Sequence, residues 1–330
     1  MQVFTEELTA TGRLTAYVQD PSDELASAAT RPAMLVLPGV GYRFCSDREA
    51  EPVALAYLAQ GFNCFVLRYA VGEHPWTASF ADGVAALEWI RDHAAEVNID
   101  PEKVAVVGFS AGGHLAASLG VSAPRRPDAL VLGYPVTLAE FGPPVGKEFI
   151  DCPSHVDELT PPTFLFSTQG DTLVPIRNSL RFLTALAEHD IAFESHIYLL
   201  GPHGLSLATA AVANGRAAMV DDSVSQWLTD SVTFLRRIFG DFAVAGEAEV
   251  YADLLERRRP GLDMPVNRLL ADDALTAVLD THLPAEVIAA LRSDGLAWSL
   301  SLRDLSGHQP ELLNARVLEG LERDLHAVRN

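Results

Sequence analysis

The sequence predicts an α/β protein in which helices cover both faces of a mostly parallel, twisted sheet, with a small helical extension at the C-terminal end. Three observations lead to this prediction. Short β-branched and apolar runs alternate with longer amphipathic stretches from about residue 30 to 240. A serine flanked by glycines joins one of these runs to a helical pattern. Beyond about residue 241 the strand-like runs stop, and one helical pattern follows another.

The parallel part of the predicted sheet is formed by short strand-like runs. Each is apolar and bounded by turn residues, which is typical of buried parallel strands. They occupy residues 33–37, 63–67, 104–108, 129–133, 163–167 and 193–199. Residues 3–8 and 14–18 flank Thr11 and Gly12, and this pattern predicts an antiparallel hairpin at one edge of the sheet.

The helical patterns divide between two predicted domains, residues 1–243 and 244–330. In the first domain a helix is predicted over residues 81–95, and the turn residues at 98–101 are predicted to end it. In the second domain the helical patterns cover residues 250–258, 275–283, 286–291 and 311–328.

The last helical pattern carries an apolar stripe. Its members, which recur at every fourth position, are Leu313, Val317, Leu321 and Leu325. Such a stripe must be buried, and it can pack on the first domain, within its own small bundle or on a second subunit. We therefore expect the extension to support a homo-oligomer or to shape the entrance of a pocket.

The composition restricts the partners and the compartment. The formal net charge of −20 repels phosphate backbones and anionic lipid headgroups, so we expect neither nucleic acid nor a membrane as a partner. The three cysteines lack metal-ligand spacing and cannot all pair, and the N-terminal residues lack the pattern of a secretory signal. These features predict a cytoplasmic protein with reduced thiols.

The clearest chemical signal is Gly108-Phe-Ser110-Ala-Gly112, which follows an apolar run and precedes a helical pattern. A serine in this position lies on a sharp, strained turn, and crowding two residues to either side requires glycine at 108 and 112. The helix that follows directs its first amides at the place where a tetrahedral intermediate carries negative charge. We therefore predict Ser110 as the nucleophile and the Ala111 amide as an oxyanion donor.

A second oxyanion donor is expected in the loop after an earlier strand, and residues 38–42 stand in that position. We assign this role to the amides of Val40 and Gly41. The alternative is an ordinary glycine-rich turn that connects the strand to the next helical pattern.

Asp171 and His203 complete the predicted catalytic group. Asp171 follows the strand-like run at 163–167, and His203 lies in a tight Gly-Pro-His-Gly turn after the last run of the sheet. Side chains in the chain order Ser, Asp, His at the carboxyl ends of strands can form a hydrogen-bonded triad. As alternatives, Asp171 caps the next helix and His203 faces solvent.

Other histidines have weaker patterns. His114 lies in the helix behind Ser110 and is expected to pack or to support the site, whereas His196 alternates within a strand. His155 can line a pocket or belong to a turn. None has a partner at metal-ligand spacing, so we predict neither a metal nor a cofactor.

Several segments together resemble the acetyl-esterase and acetylxylan-esterase-like branch of the α/β-hydrolases, near the hormone-sensitive-lipase-like and feruloyl-esterase-like groups. They are LPGVGY (37–42), FVLRYAV (65–71), NIDPEKVAVVGFSAGGHLAASL (98–119), PPTFLFSTQGDTLVPIRNSL (161–180) and GPHGLSLA (201–208). The resemblance implies the α/β-hydrolase fold over residues 30–240, with Ser110, Asp171 and His203 as the triad. The family's oxyanion loop usually reads P-G-G-G or H-G-G-G, whereas this chain has Val40 at the third place, a β-branched residue that resists positive φ.

The extension has a resemblance of its own. Residues 269–284 and 301–306 are similar to a short helical module attached to some bacterial carbohydrate-active enzymes.

These residues predict a serine carboxylesterase that forms an acyl-Ser110 intermediate. The stretch available as a lid, residues 137–159, is short, which favours an open pocket and a short acyl chain. The resemblance implies acetyl on a sugar or xylo-oligosaccharide as the substrate. Two alternatives remain: an amidase or peptidase of the same fold, and a catalytically silent fold that acts in assembly through its extension.

Overall fold

The computed structural model describes residues 1–242, 260–293, 300–308 and 310–328. It divides the chain into two compact units, Met1–Glu249 and Val250–Asn330. The predicted boundary between residues 243 and 244 and the predicted helix at 250–258 lie outside the described residues. The position of the domain boundary therefore stays a prediction.

An eight-stranded sheet forms the centre of the first unit. Its strands are β1 (Gln2–Glu7), β2 (Arg13–Val18), β3 (Arg31–Leu37), β4 (Asn63–Arg68), β5 (Ile99–Phe109), β6 (Ala129–Gly133), β7 (Thr163–Thr168) and β8 (Phe193–Tyr198). They lie in the order β1-β2-β4-β3-β5-β6-β7-β8. β1 pairs antiparallel with β2 and β2 with β4, and the remaining neighbours are parallel. The mostly parallel sheet and the hairpin at its edge are therefore confirmed.

Helices cover both faces of this sheet, as predicted. They are α1 (Glu51–Leu58), α2 (Trp76–Asp92), α3 (Ala111–Ser122), α4 (Arg177–Glu188), α5 (Asp222–Ser225) and α6 (Trp227–Phe239). Successive side chains of a strand point to opposite faces. In β3, Leu35 and Leu37 therefore join the core beneath α2, α3 and α4, whereas Met34 and Val36 join the core beneath α1 and α6.

The turn predicted at 98–101 is confirmed at Asn98, which has a φ of 53°, and is wrong at Ile99 and beyond. α2 ends at Asp92, earlier than predicted, and β5 begins at Ile99, inside the turn predicted at 98–101. Ile99 pairs with Arg31, and the register shifts before the next pairing of β3 with β5. The irregular register lets a turn-like sequence join the strand, because a shifted ladder tolerates residues that regular pairing excludes.

The second unit is a small helical bundle. Its described helices are α7 (Val266–Leu269), α8 (Asp273–His282), α9 (Ala285–Ser293), α10 (Leu302–Ser306) and α11 (Ala315–Ala327). One apolar cluster joins them: Leu313, Leu321 and Leu325 are buried in it, and Val317 packs against it. The predicted stripe is thus covered within its own bundle. A homo-oligomer formed through this extension stays a prediction.

The three cysteines are free, with Cys64 and Cys152 buried and Cys45 partly exposed. Burial raises the pKa of the Cys64 thiol well above its usual range, so this thiol is uncharged near neutral pH. Within the described ranges, no helix combines the length and the apolar character needed to cross a membrane.

We expect Leu321→Ala to lower the free energy of unfolding of the second unit by about 2–4 kcal/mol, because it leaves a cavity in the bundle core. Leu321 is 0% exposed, whereas Leu312 is 43% exposed. Leu312→Ala is therefore the matched control and should cost less than about 0.5 kcal/mol. Urea denaturation followed by circular dichroism measures both losses. Equal losses in the two variants would contradict the burial of the stripe.

Candidate active site

Ser110 lies in the sharp turn between β5 and α3. Its φ and ψ angles are 52° and −116°, a conformation that residues other than glycine rarely adopt. The Ser110 amide donates to the Gly133 carbonyl over 3.0 Å, and the Ser110 carbonyl accepts from the Val136 amide over 3.1 Å. These bonds fasten the turn to the end of β6 and hold the strained backbone in place.

The glycines on either side of Ser110 leave no room for a side chain. A Cβ atom on Gly108 would lie 2.2 Å from the Gly112 carbonyl oxygen, and one on Gly112 would lie 2.1 Å from the Leu37 carbonyl oxygen. Both obstacles are backbone atoms, which cannot move aside without disturbing β3 or α3. The crowding predicted from the sequence therefore arises where β3, β5 and α3 converge.

The structure brings Ser110, His203 and Asp171 together. The His203 Nε2 atom lies 2.8 Å from Ser110 Oγ, and the Nδ1 atom lies 2.6 Å from Asp171 Oδ2. The Asp171 side chain is 1% exposed and that of His203 is 14% exposed. This geometry allows a histidine to accept the serine proton while the carboxylate fixes the orientation of the ring.

Asp171 also holds the turn that follows β7. Its Oδ1 atom accepts hydrogen bonds from the Leu173 and Val174 amides, both over 2.9 Å. It is not the cap of the next helix, because α4 begins at Arg177 and Ile176 stands at its cap position. One carboxylate oxygen therefore fixes the turn, and the other faces the histidine.

The histidine loop (residues 201–206) is held on two sides. Gly201 and Gly204 have φ angles of 132° and 82°, which allow the tight turn around His203. At the end of β7, the Thr168 hydroxyl donates to the Gly201 carbonyl over 2.7 Å. The Tyr134 ring stands edge-on to the imidazole, with the ring centroids 5.1 Å apart. These contacts keep His203 at the site rather than in solvent.

The oxyanion loop (residues 38–42) lies against the nucleophile turn. A Cβ atom on Gly39 would lie 2.4 Å from the Phe109 carbonyl oxygen and 3.0 Å from Ser110 Cβ. In the described part of the chain, the Val40 and Gly41 amides donate to no backbone carbonyl. Amides at the first position of a helix, such as that of Ala111, also lack an intrahelical acceptor. The Gly39 contacts thus place this loop against the nucleophile turn, and none of the three predicted donor amides has such an acceptor.

Val40 adopts the positive φ that a β-branched side chain resists. Its φ is 113°, and strain of this kind costs about 1–3 kcal/mol. Contacts along the loop hold this conformation: the Arg43 amide donates to the Val40 carbonyl over 2.9 Å, and the Ser46 amide donates to the Gly39 carbonyl over 3.2 Å. The departure from glycine at this place therefore does not prevent the glycine-like backbone.

His114 packs in the core beneath α3, as expected. Its Nδ1 atom lies 2.9 Å from the Tyr42 hydroxyl, and its Nε2 atom lies 3.1 Å from the Ile150 carbonyl. The ring stacks on Phe149 with the centroids 4.3 Å apart. Burial lowers the pKa of His114 to about 4, so the ring is neutral at pH 7.

The two remaining histidine candidates lie outside the Ser110–His203–Asp171 series. His196 faces Glu194 and Asp230 at 3.2 and 3.3 Å. His155 is exposed, with its Nδ1 atom 2.9 Å from the Asp151 carbonyl. Over the ranges that the structure describes, no group of three or more His, Cys, Asp or Glu side chains is arranged to hold a metal ion.

Sequence reasoning missed a buried carboxylate beside the site. Glu49 is 4% exposed; its Oε2 atom accepts from the Gly39 amide over 2.8 Å, and its Oε1 atom accepts from the Tyr134 hydroxyl over 2.6 Å. In the sequence, Glu49 stands among other acidic residues just before a helix, which is typical of an exposed helix start. No local signal distinguishes it from these neighbours.

Comparison with known proteins identifies the family. Residues 41–156 match a family described by the α/β hydrolase fold. The solved structure of MGS-M1, an α/β hydrolase enzyme from a Medee basin deep-sea metagenome library, is 42% identical, and the match covers 72% of this chain and 98% of that chain with a TM-score of 0.69. The chain belongs to the α/β-hydrolase family. The predicted fold and family of this hydrolase are therefore confirmed.

Two relatives of this hydrolase have names that refer to acetyl groups. An acetylxylan esterase of Xylanibacter ruminicola is 29% identical over 54% of this chain and 42% of its own length. An acetyl ester-xyloside bifunctional hydrolase of Caldicellulosiruptor lactoaceticus is 33% identical, covering 69% of this chain and 88% of that chain with a TM-score of 0.59. The hydrolase spans only 34–56% of the length of the first curated relatives that it matches.

At position 40 we expect glycine to give a more stable hydrolase than alanine, the reverse of the usual order. Both substitutions remove the valine side chain, but only glycine adopts a φ of 113° without strain. Val40→Gly should therefore exceed Val40→Ala in free energy of unfolding by about 1 kcal/mol, measured by urea denaturation. In the control, Ala59→Gly should destabilise by about 0.5–1 kcal/mol, because Ala59 has an ordinary φ of −65°. A more stable Val40→Ala variant would refute this expectation.

We expect His114 to make the hydrolase less stable as the pH falls from 6.5 to about 4, the interval between its ordinary and folded-state pKa values. There the unfolded chain binds a proton that the buried ring does not, so stability rises with pH by up to about 3 kcal/mol. Urea denaturation across this pH range should give a flatter curve for His114→Gln. His155→Gln, which changes an exposed histidine, should keep the original slope. The same slope in both variants would show that His114 is not responsible.

Proposed function

We propose that this hydrolase is a serine carboxylesterase that cleaves short-chain acyl esters, with acetyl esters of a sugar or xylo-oligosaccharide as substrates. The observation that carries the proposal is the hydrogen-bonded series from Ser110 through His203 to Asp171, with distances of 2.8 and 2.6 Å. The series lies at the carboxyl ends of β5, β7 and β8, the edge at which open α/β sheets bind their ligands.

In the first step, Ser110 Oγ attacks the ester carbonyl carbon while His203 Nε2 takes the hydroxyl proton. Asp171 stabilises the imidazolium that forms, because its Oδ2 atom accepts the hydrogen bond from Nδ1. The tetrahedral intermediate then collapses: the bond between carbonyl carbon and alcohol oxygen breaks, and the histidine gives its proton to the departing alcohol. The product that stays on the protein is acyl-Ser110.

In the second step, water takes the place of the alcohol. His203 accepts a proton from the water as its oxygen attacks the acyl carbon, and then returns a proton to Ser110 Oγ as the carboxylic acid leaves. In both steps the amides of Val40, Gly41 and Ala111 would hold the oxyanion. Removing one such donor costs about 3 kcal/mol in measured hydrolases.

The preference for a short acyl group is supported by the segment between β6 and β7. Its helical parts are the short 3-10 turns Ala139–Phe141, Pro143–Val145 and Cys152–His155. Such a segment gives little cover for a long acyl chain, whereas a bulky polar alcohol can extend into solvent. The relatives named as an acetylxylan esterase and as an acetyl ester-xyloside bifunctional hydrolase support a sugar as that alcohol. The net charge of −20 does not repel neutral oligosaccharides.

The proposal is tested by kcat/KM on p-nitrophenyl esters from acetate to octanoate and on acetylated xylo-oligosaccharides. We expect acetate to be the preferred aryl ester and acetic acid to be released from the oligosaccharides. Ser110→Ala should lower kcat by about 10⁴-fold or more, and Asp171→Asn by about 10³–10⁴-fold. A preference for octanoate would contradict the short acyl chain, and faster cleavage of matched amides would favour the amidase alternative.

Histidine variants provide the matched control. His203→Ala should abolish turnover, whereas His155→Ala should leave it unchanged because His155 lies outside the triad. Labelling with a fluorophosphonate tests the silent alternative, since only an activated serine reacts. A wild-type protein whose Ser110 stays unlabelled would exclude the serine esterase.

A further inference from the structure

We propose that Glu49 is a positioning residue whose buried carboxylate holds the oxyanion loop and the histidine loop in fixed places around Ser110. This inference rests on the proposed esterase function. Glu49 lies just before α1, outside the triad and outside the predicted oxyanion donors. Its side chain is almost completely buried, whereas Asp47, the other acidic residue just before α1, is exposed.

One side of the carboxylate holds the oxyanion loop. Glu49 Oε2 accepts from the Gly39 amide over 2.8 Å, one residue before Val40. Hydrogen bonds to ionised groups are shorter and stronger than those between neutral groups. This bond fixes the peptide next to the two predicted donors, and so it helps to set the direction in which their amides point.

The other side of the carboxylate holds the histidine loop through a tyrosine. The Tyr134 hydroxyl donates to Glu49 Oε1 over 2.6 Å and accepts from the Ser206 amide over 2.9 Å. Burial, and then the negative charge of Glu49, raise the pKa of Tyr134 well above its usual range, so the hydroxyl keeps its proton. The Tyr134 ring also makes the edge-on contact with the His203 imidazole.

The residue before Glu49 fastens the same loop. The Arg48 guanidinium donates to the Gly204 carbonyl over 2.9 Å, and the Arg48 carbonyl accepts from the Ser206 hydroxyl over 2.5 Å. Arg48 thus contacts the histidine loop directly, and Glu49 contacts it through Tyr134. Glu49 also contacts the oxyanion loop. A shift of this segment would move a donor for the oxyanion and the general base together.

The donor and acceptor pattern requires a carboxylate. Glu49 receives one N–H and one O–H, and an ionised carboxylate is a pure acceptor that satisfies both. A glutamine of the same shape has one oxygen and one NH₂ group, so one of the two bonds must be lost or reversed. If Tyr134 turned its proton away, it would meet the Ser206 amide, which is itself a donor. The neutral variant therefore breaks the connection between the loops without a change in side-chain size.

We expect Glu49→Gln to lower kcat for an acetyl ester by about 30-fold while KM changes less than about twofold, because the oxyanion and the imidazolium form only in the transition state. Tyr134→Phe keeps the ring and should lower kcat in the same direction. The double variant should lose little more than Glu49→Gln alone, because both substitutions break the same connection.

Glu51→Gln is the matched control. It makes the same change of side chain two residues further along the chain. This substitution removes an ion pair with Arg68 at 3.0 Å, but Glu51 touches neither loop. Its kcat should stay within about twofold of the wild type. Thermal melting of each variant, with kinetics measured well below the transition, separates lost stability from lost positioning.

The outcomes separate this inference from the proposed function. If Ser110→Ala abolishes turnover but Glu49→Gln and Tyr134→Phe keep the kcat of Glu51→Gln, positioning by Glu49 is overturned and the esterase stands. If the wild type cleaves none of the esters, the rate constant of fluorophosphonate labelling decides instead, and labelling about 10-fold or more slower in Glu49→Gln supports positioning. Equal labelling rates, or a serine that labels in neither protein, overturn it.

Discussion

The left-handed backbone of Ser110 is the constraint on which the rest of the site depends. It lets the chain pass from β5 to α3 within one residue, with φ of 52°, and so presents the hydroxyl at the edge of the sheet. The same passage brings three backbone segments so close that only glycine fits at 108, at 112 and, on the oxyanion loop, at 39. The nucleophile, the first amides of α3 and the oxyanion loop are therefore placed by one packing arrangement.

The features that the sequence predicts well are those set by local backbone demands. Apolar runs of strand length, a hairpin turn and glycines around a serine each have a short-range physical cause, so their positions agree closely with the sheet and with the nucleophile turn. The positions of Ser110, Asp171 and His203 after strand-like runs, in that chain order, also predict three side chains that the structure brings into hydrogen-bonding distance. Their placement depends on strand order, which regular alternation of strands and helices restricts strongly.

The features that the sequence does not reveal are set by partners far along the chain. Residues 99–101 of the predicted turn become part of β5 because Arg31 pairs there with Ile99 and the register shifts. Glu49 is buried because Tyr134, 85 residues away, donates to it. The apolar stripe of the last helix allowed three burial sites, and only tertiary packing selects its own bundle. In each case the local sequence is the same whether or not the distant partner is present, so the local sequence does not reveal the contact.

The adjacency of Arg48 and Glu49 has a consequence for how this region can vary in evolution. Because the neighbouring Arg48 and Glu49 side chains reach separate loops, the spacing of these two residues is fixed by contacts on both sides. A residue inserted between Arg48 and Glu49 would turn one of the two side chains away from its loop. A shift of the neighbouring backbone could not restore both contacts. Length variation among homologues should therefore concentrate elsewhere, for example in the exposed segment that joins β2 to β3.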